Sequence, residues 1–537
     1  MYRLRPFRQT INLLQLHPYA SLFGLALLLR LLVALVVKQP GFVDAYYYYQ
    51  IAANWHAGKG LTETTIWNYQ AGGLFDPAMP GKLEHAAFTY WTPLATFLPI
   101  LSFSLFGVSF WAASLPFMLC AAALPPLAYW LGLLVFGPEQ RRYSWTMALV
   151  MLFPGRYFLY WNAPDNFAPF ALISLLTLAA IYKGLYQNDR WLPVAGLLCG
   201  LAYLSRSDGI LLTVTLVLAY LWRLWQLRSE VKKAGKAAFS PRWLMLGLAL
   251  FVALLVVSPW LLRNWTQFGA VLPANNSKVL YLRSYQDFFS YGLNLDAQYY
   301  FSWGAGNILA QKLQTLGTNA FLYIFEGLFL LGPLFVAGLW ATRKHPTLGP
   351  FLIYSAVLYL VMSLAFSEIG SHGTIFHSAG GLVALQAGIA LAGLEWLGRG
   401  KARPFGAFIM VLVAIGVTLY FAFSVNAPGW DTDYNNALTL ENWLKQNSTP
   451  NDVIMVGEPL SFNYVTGRPA ISQASDGLAA NLNALKRYNA SWFVLGSERY
   501  AGLDTVYRDK QVAGEGVELR LAAELDRGIQ IYRVIIK

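Results

Sequence analysis

Long apolar runs separated by polar loops recur near residues 18–38, 110–136, 142–161, 166–186, 191–205, 209–227, 242–262, 321–341, 349–366, 376–397 and 406–425. A helix needs about 20 apolar residues to cross the hydrocarbon core of a bilayer, so the pattern predicts an α-helical polytopic membrane protein with about 11 transmembrane helices. The run 91–107 is short and is interrupted by Pro93 and Pro99, and it reads as an interfacial or re-entrant helix. Beyond Asn426 the pattern changes. Thr439 to Gln446 has helical character, and Pro450-Asn451-Asp452 ends it. Val453-Ile454-Met455-Val456 reads as a buried strand, Leu478 to Tyr488 as a helix, Trp492-Phe493-Val494-Leu495 as a second strand and Ile529 to Ile536 as a last, alternating one. This order predicts a small C-terminal α/β soluble domain over 427–537, after a transmembrane domain over 1–426.

Charge assigns sides to the loops. If 91–107 does not cross, one set of loops collects Arg3, Arg5, Arg8, Arg141, Arg142, Lys183, Arg190, the cluster Arg228 to Arg242, Arg343, Lys344, Arg399, Lys401 and Arg403. The opposite set is poor in Lys and Arg. The positive-inside rule then predicts the N-terminus inside, with the loops 39–109 and 263–320 and the C-terminal domain on the extracytoplasmic side.

Composition agrees. Of 537 residues, 56% are hydrophobic and 12% charged, against about 25% charged in soluble domains. The net charge of +12 sits in short loops between apolar runs, which points to membrane orientation and away from nucleic acid. Cys120 and Cys199 both lie within apolar runs, which speaks against a disulfide framework or a cysteine metal cluster. The first run has no small-residue cleavage site after it, so a retained first helix is expected, in a bacterial or archaeal cytoplasmic membrane.

The candidate chemistry lies at the outer ends of spans. Asp44 follows the first span and precedes Ala45-Tyr46-Tyr47-Tyr48-Tyr49-Gln50-Ile51-Ala52-Ala53-Asn54-Trp55, which has the spacing of an interfacial helix. An acid at that helix start suits the helix dipole and also suits a plain N-cap. Asp165 sits in the turn Trp161-Asn162-Ala163-Pro164-Asp165-Asn166, again at an outer helix start, with the same two readings. The two acids together fit a general base and a metal or substrate ligand. Arg30 lies inside the first span, where an arginine needs a partner or a watery cavity. Arg206 stands beside Asp208, a ready ion pair. Arg263 closes the seventh span on the cation-poor side, and it either binds an anion or snorkels to headgroups. The loop Ser367 to His377 holds Glu368, His372 and His377, and its glycines disfavour an aligned metal site, leaving hydrogen bonds to a phosphate. Gly-rich phosphate loops, nucleophile elbows and zinc-protease motifs are absent. Asn264, Asn275, Asn447 and Asn489 fit the N-glycosylation acceptor pattern, which arises often by chance.

This layout of an acid after the first span, an aromatic interfacial helix, a second outer acid and a soluble tail resembles the GT-C glycosyltransferase superfamily. Within it, the chain is most similar to bacterial relatives of protein O-mannosyltransferases and of the lipid A aminoarabinose transferase. The likeness is carried by Asp44 to Ala52 continuing through Gly58-Lys59-Gly60-Leu61, by Tyr90-Trp91-Thr92-Pro93-Leu94 followed by Leu105-Phe106-Gly107, by Gly200 to Gly209, and by Pro259-Trp260-Leu261-Leu262-Arg263-Asn264. It covers most of the chain, and the order of features is more specific than any one motif.

The resemblance implies transfer of a sugar from a polyprenyl-phosphate donor to a lipid, glycan or protein acceptor on the extracytoplasmic side, with inversion. Asp44 would be the general base and Asp165 the second acid. Arg206, Arg263, His372 and His377, with Arg30 and Glu84, would meet the substrate or the lipid phosphate. Asp44 and Asp165 are where a divalent cation, Mg or Mn, would be held. Many relatives carry Arg at the late-loop position occupied here by His377. The segment Ala437 to Lys445 with Thr449-Pro450 resembles the start of the tail in oligosaccharyltransferase catalytic subunits. Their WWDYG motif is replaced by Gly457-Glu458-Pro459-Leu460-Ser461, which disfavours oligosaccharide transfer to Asn. A glycan polymerase or ligase on the same scaffold, or a non-enzymatic transporter of lipid-linked glycans, are the alternatives. The lack of an internal repeat argues against the transporter.

Overall fold

The computed structural model describes residues 17–66, 83–234, 243–272, 278–400 and 405–537. Arg3, Arg5, Arg8, the 235–242 part of the basic cluster, Asn275, Lys401 and Arg403 lie outside the described residues.

Among those residues, six helices are long and apolar enough to cross a membrane, or eight if each of two bent pairs counts as one span. Shorter apolar helices are Pro18–Ala34, Leu94–Phe106 and Trp191–Ser205. The 13 residues of Leu94–Phe106 reach only about 20 Å at 1.5 Å per residue, in keeping with a segment that does not cross.

Three expected spans are not straight. The run 142–161 is two helices, Arg141–Leu152 and Tyr157–Tyr160, parted where Pro154 lacks an N–H and Gly155 takes φ +60°. The run 321–341 is bent by 104° between Ala305–Phe325 and Phe329–Thr342, so its first helix rises from what was expected to be loop. The run 376–397 is bent by 82° between Ser367–Ala379 and Val383–Leu397. The bend after Ala379 ends a helix just past His377, and the break at Pro154-Gly155 precedes the turn that carries Asp165.

Small residues set the closest helix crossings. A Cβ on Gly338 would fall 1.9 Å from the Ile389 carbonyl oxygen, and one on Gly393 would fall 2.1 Å from that of Leu334, so Gly332–Thr342 and Val383–Leu397 meet backbone to backbone. Gly196 does the same against Ala249.

The C-terminal region carries the sheet. Strand labels follow chain order: β1 Thr62–Glu63, β2 Thr65–Ile66, β3 His85–Ala86, β4 Ile454–Val456, β5 Ala470–Ser472, β6 Trp492–Leu495, β7 Gln511–Gly514, β8 Val517–Leu525 and β9 Ile529–Ile536. The main sheet runs β2-β5-β4-β6-β9-β8-β7, parallel from β2 to β6 and antiparallel beyond. Three of the expected tail strands are β4, β6 and β9. The β7–β8 hairpin was unforeseen, although Glu515 and Gly516 at its tip both take positive φ, the geometry of a type I′ turn. β2 comes from the first loop, so that loop is stitched into the tail's sheet. The last span and the first helix of the tail form one helical run, Gly406–Asn447.

Candidate active site

The interfacial helix Val43–His56 lies under the α/β domain. Gln50 Nε2 donates to the Leu460 carbonyl at 2.6 Å, and the Tyr46 and Tyr49 rings pack on Tyr464. Gly41 takes φ +82°, and a Cβ there would collide with the Trp430 indole 2.2 Å away. Glycine therefore lets Trp430 close over the turn that launches this helix, while its Nε1–H donates to the Gln39 carbonyl at 3.0 Å. The N-cap is Phe42, in extended geometry with no side-chain cap. Asp44 is thus not the cap, but it sits in the first turn, where the helix dipole favours a carboxylate.

Asp165 is likewise not a cap. Asn166 holds that position on Phe167–Tyr186, and the Asp165 side chain is fully buried. One carboxylate oxygen each from Asp44 and Asp165, and one ring nitrogen of His377, all lie within 4.8 Å of one another. The Asp165 Oδ2 to His377 Nδ1 separation is 3.5 Å. None of these Asp165 and His377 atoms meets hydrogen-bond geometry, although the Asn166 N–H leans toward the Asp165 carboxylate. The His377 ring is stacked on Phe167 at 3.7 Å, which fixes its plane.

Arg206 completes the group. It ends helix Trp191–Ser205 in extended backbone, and its Nε donates to Asp208 Oδ1 at 2.9 Å. The other Asp208 oxygen accepts from Ser378 Oγ, which ties the arginine to the helix of His377. Burial works against the Arg206 charge, but Asp208, Asp165, Tyr48 and Asp44 together outweigh it and raise its pKa.

The carboxylates are perturbed upward. Burial lifts the Asp44 carboxyl to about 6, against the opposing Arg206 charge and a hydrogen bond from Trp91. Burial, then the charge of Asp44, pushes Asp165 well above the usual carboxylate range. Two acids this close do not both ionise easily without a cation between them. Tyr48, fully buried, feels both acids, and its hydroxyl is held by Asn166 Nδ2 at 2.5 Å.

Further tyrosines and a third acid lie around Asp44. Tyr90 feels Tyr285, Arg206 and Asp44, and Tyr285 feels Asp44 and Glu458. Glu458 is exposed at its surface, yet the surrounding protein raises its carboxyl to about 8, with the Asp433 charge adding to the effect. His372 is exposed here, its ring stacked on Tyr285 at 4.0 Å and its Nδ1 against the Glu368 carbonyl.

The other expected residues are elsewhere. Arg30 is 3% exposed, and its Nη1 donates to the Phe158 carbonyl and to Asn162 Oδ1. It fastens the first span to the turn before Asp165. Arg263 Nη2 donates to the Ala87 carbonyl at 2.7 Å and lies over the Trp260 and Phe268 rings. It belongs with the first-loop hairpin and faces Tyr47, which packs on Tyr48, so two tyrosines stand between it and the acids. Glu84 is exposed just before β3, and the acid this hairpin buries is Glu63, 3.3 Å from His85. Sequence reasoning missed Tyr48, Trp91, Asn166, Tyr285 and Ser378. Trp91 and Asn166 stood beside or within quoted motifs, whereas Tyr285 and Ser378 had no local signal.

The family model that matches the chain is that of dolichyl-phosphate-mannose-protein mannosyltransferase, over residues 90–263. No curated protein matches. Among solved structures, the chain is similar to ArnT from Cupriavidus metallidurans bound to undecaprenyl phosphate, with TM-score 0.59 and 15% identity over 96% of this chain and 98% of that one. The apo form of the same protein gives 0.56 and 14% over 97% and 98%. The archaeal oligosaccharyltransferase AglB from Archaeoglobus fulgidus, in complex with an inhibitory peptide and a dolichol-phosphate, gives 0.51 and 13%, over 90% of this chain and 69% of that one.

Proposed function

We propose that this chain, a membrane glycosyltransferase of the GT-C superfamily, moves a sugar from a polyprenyl-phosphate donor to an acceptor at the face roofed by the α/β domain, with inversion at the anomeric carbon. The observation that carries the reading is the meeting of Asp44, Asp165 and His377 within 4.8 Å, beside a pinned Arg206. These groups come from separate parts of the chain and meet near helix ends: Asp44 in the first turn of Val43–His56, Asp165 before Phe167–Tyr186 and His377 near the end of Ser367–Ala379.

Asp44 is the general base. It takes the proton of the acceptor nucleophile as that group attacks the anomeric carbon, and the bond to the carrier phosphate breaks on the opposite side. A carboxyl near 6 is ionised at neutral pH and basic enough to accept a proton. The departing phosphate needs positive charge and donors, and Arg206 and the exposed His372 supply them. The ArnT of like fold is one bound to undecaprenyl phosphate, which supports a polyprenyl phosphate as the carrier.

The residues present fit a divalent cation, Mg or Mn, since two acids and an imidazole present close atoms without hydrogen-bond partners at Asp165 and His377. Asp44, Asp165 and His377 would hold it. Its chemistry there is neutralisation of the paired carboxylates and of phosphate charge. The N-terminus lies inside and the α/β domain outside in this reading, as the charge pattern predicts.

The deciding experiment assays Asp44→Asn with a polyprenyl-phosphate sugar and candidate acceptors. Loss of transfer with carrier binding intact is expected. Wild-type turnover in that variant would remove Asp44 from the base role.

A further inference from the structure

At the end of the bundle away from Asp44 there is a second cavity, of about 500 Å³. Phe136, Tyr143, Ala392 and Trp396 give it an apolar wall, and Lys344 and His345 stand at its polar side. Helix Val383–Leu397 connects the two ends: it starts after the segment of His377, and Glu395 sits in its last turn. Its 15 residues span about 22 Å, which separates this cavity from the transfer centre.

Charge decides what the cavity suits. Its carboxylate, Glu395, is matched: Arg142 Nε and Nη2 donate to its two oxygens at 2.7 and 3.1 Å, and the Tyr143 hydroxyl donates at 3.1 Å. Lys344 has no ion-pair partner among the described residues, and His345 Nδ1 is buried without a hydrogen bond. Arg141, Arg343 and Arg399 belong to the same end. Trp340 and Trp396 are 58% and 52% exposed there, as tryptophans at headgroup depth are. A pocket between helix ends whose one acid is already matched, with a lysine and an imidazole on its polar side and an aromatic wall, has the chemistry that recognises anionic headgroups.

We propose that this cavity binds the anionic, phosphate-bearing headgroup of a membrane phospholipid, with Lys344 and His345 facing the phosphate and Trp396 and Phe136 packing on the glycerol and first acyl carbons. The volume exceeds what a bare phosphate fills and leaves room for that apolar part. The site is independent of the sugar-transfer reading, and its test does not use activity.

The full-length protein, stripped of lipid in detergent, is titrated with phosphatidylglycerol, phosphatidylcholine and inorganic phosphate, read by native mass spectrometry and thermal shift. Phosphatidylglycerol should be retained about 10-fold or more over phosphatidylcholine, and Lys344→Glu should erase that preference. Lys510→Glu, on the α/β domain, should leave it unchanged. Lys344 is exposed, so its variant should fold, and His345→Ala offers a second, milder reading of the same preference. Equal retention of the two lipids, or an unchanged preference in Lys344→Glu, overturns the proposal. So does full displacement of phosphatidylglycerol by millimolar inorganic phosphate, which would make this a free-anion site.

Discussion

The buried Asp165 carboxylate stands 3.5 Å from Nδ1 of His377, and neither of the facing atoms meets hydrogen-bond geometry with any group. A buried polar atom without a partner is costly, and a cation is the group that would satisfy both. Stripping the purified protein with a chelator should therefore abolish transfer, and Mn or Mg should restore it. His377→Ala should raise the metal concentration needed for half-recovery about 10-fold or more. Activity indifferent to chelation would exclude a metal role for the pair.

Asp44→Asn should lower transfer by about 10²- to 10⁴-fold, the range set by loss of a general base. The same variant should melt no lower than the wild type. The folded-state carboxyl is raised to about 6 from an ordinary 3.8, so its ionised form at neutral pH opposes folding. A large drop in melting temperature would mean that the carboxylate is structural.

The same value fixes the sign of the pH profile. Burial lifts the metal-free base to about 6 and a cation held beside it would lower it, so kcat/KM should rise with pH at or below about 6 and then level. A profile that falls across that interval would point to a required acid.

Glu458 titrates separately. Its carboxyl is raised from 4.5 to about 8, so its contribution to stability is fully present below 4.5 and is lost as pH rises to and through 8. Thermal scans of the wild type should show melting temperature falling over that interval. Glu458→Gln should remove that slope, and an unchanged slope would assign it to other groups.

Asp208 acts through Arg206. Asp208→Asn weakens the hold on the guanidinium and on Ser378, and turnover should fall about 10- to 100-fold as the cation loses its place. The outcome to look for is a raised KM for the carrier lipid with an unshifted pH profile. Wild-type kinetics would show that Arg206 is held by other means.

The membrane class, most helix positions and the three strands β4, β6 and β9 were legible because hydrophobic period and length carry that information locally. The bends were not. Pro154-Gly155 marks one break in the sequence, but the turn after Phe325 and the one after Ala379 depend on which helices pack beside them. Asp44 and Asp165 were found as acids at helix starts, and the expectation that either is a cap gave way to Phe42 and Asn166. His377 was expected near a phosphate, and the structure sets it against Asp165, a pairing about 200 residues apart that no local pattern encodes. Arg30 was singled out by its rarity in a span, and its Nη1 hydrogen bonds to Phe158 and Asn162, far off in sequence, had no local pattern.

Strand β2 has a consequence for biogenesis. Thr65 and Ile66 pair with Ala470 and Ile471, about 400 residues later in the chain. The first loop waits for that edge until nearly the whole polypeptide has been synthesised. The helix of Asp44 is roofed by the same late-arriving domain, so a nascent or truncated chain has its spans in the bilayer before it has a closed reaction chamber. The enclosure of Asp44 is thus among the last features of the fold to form.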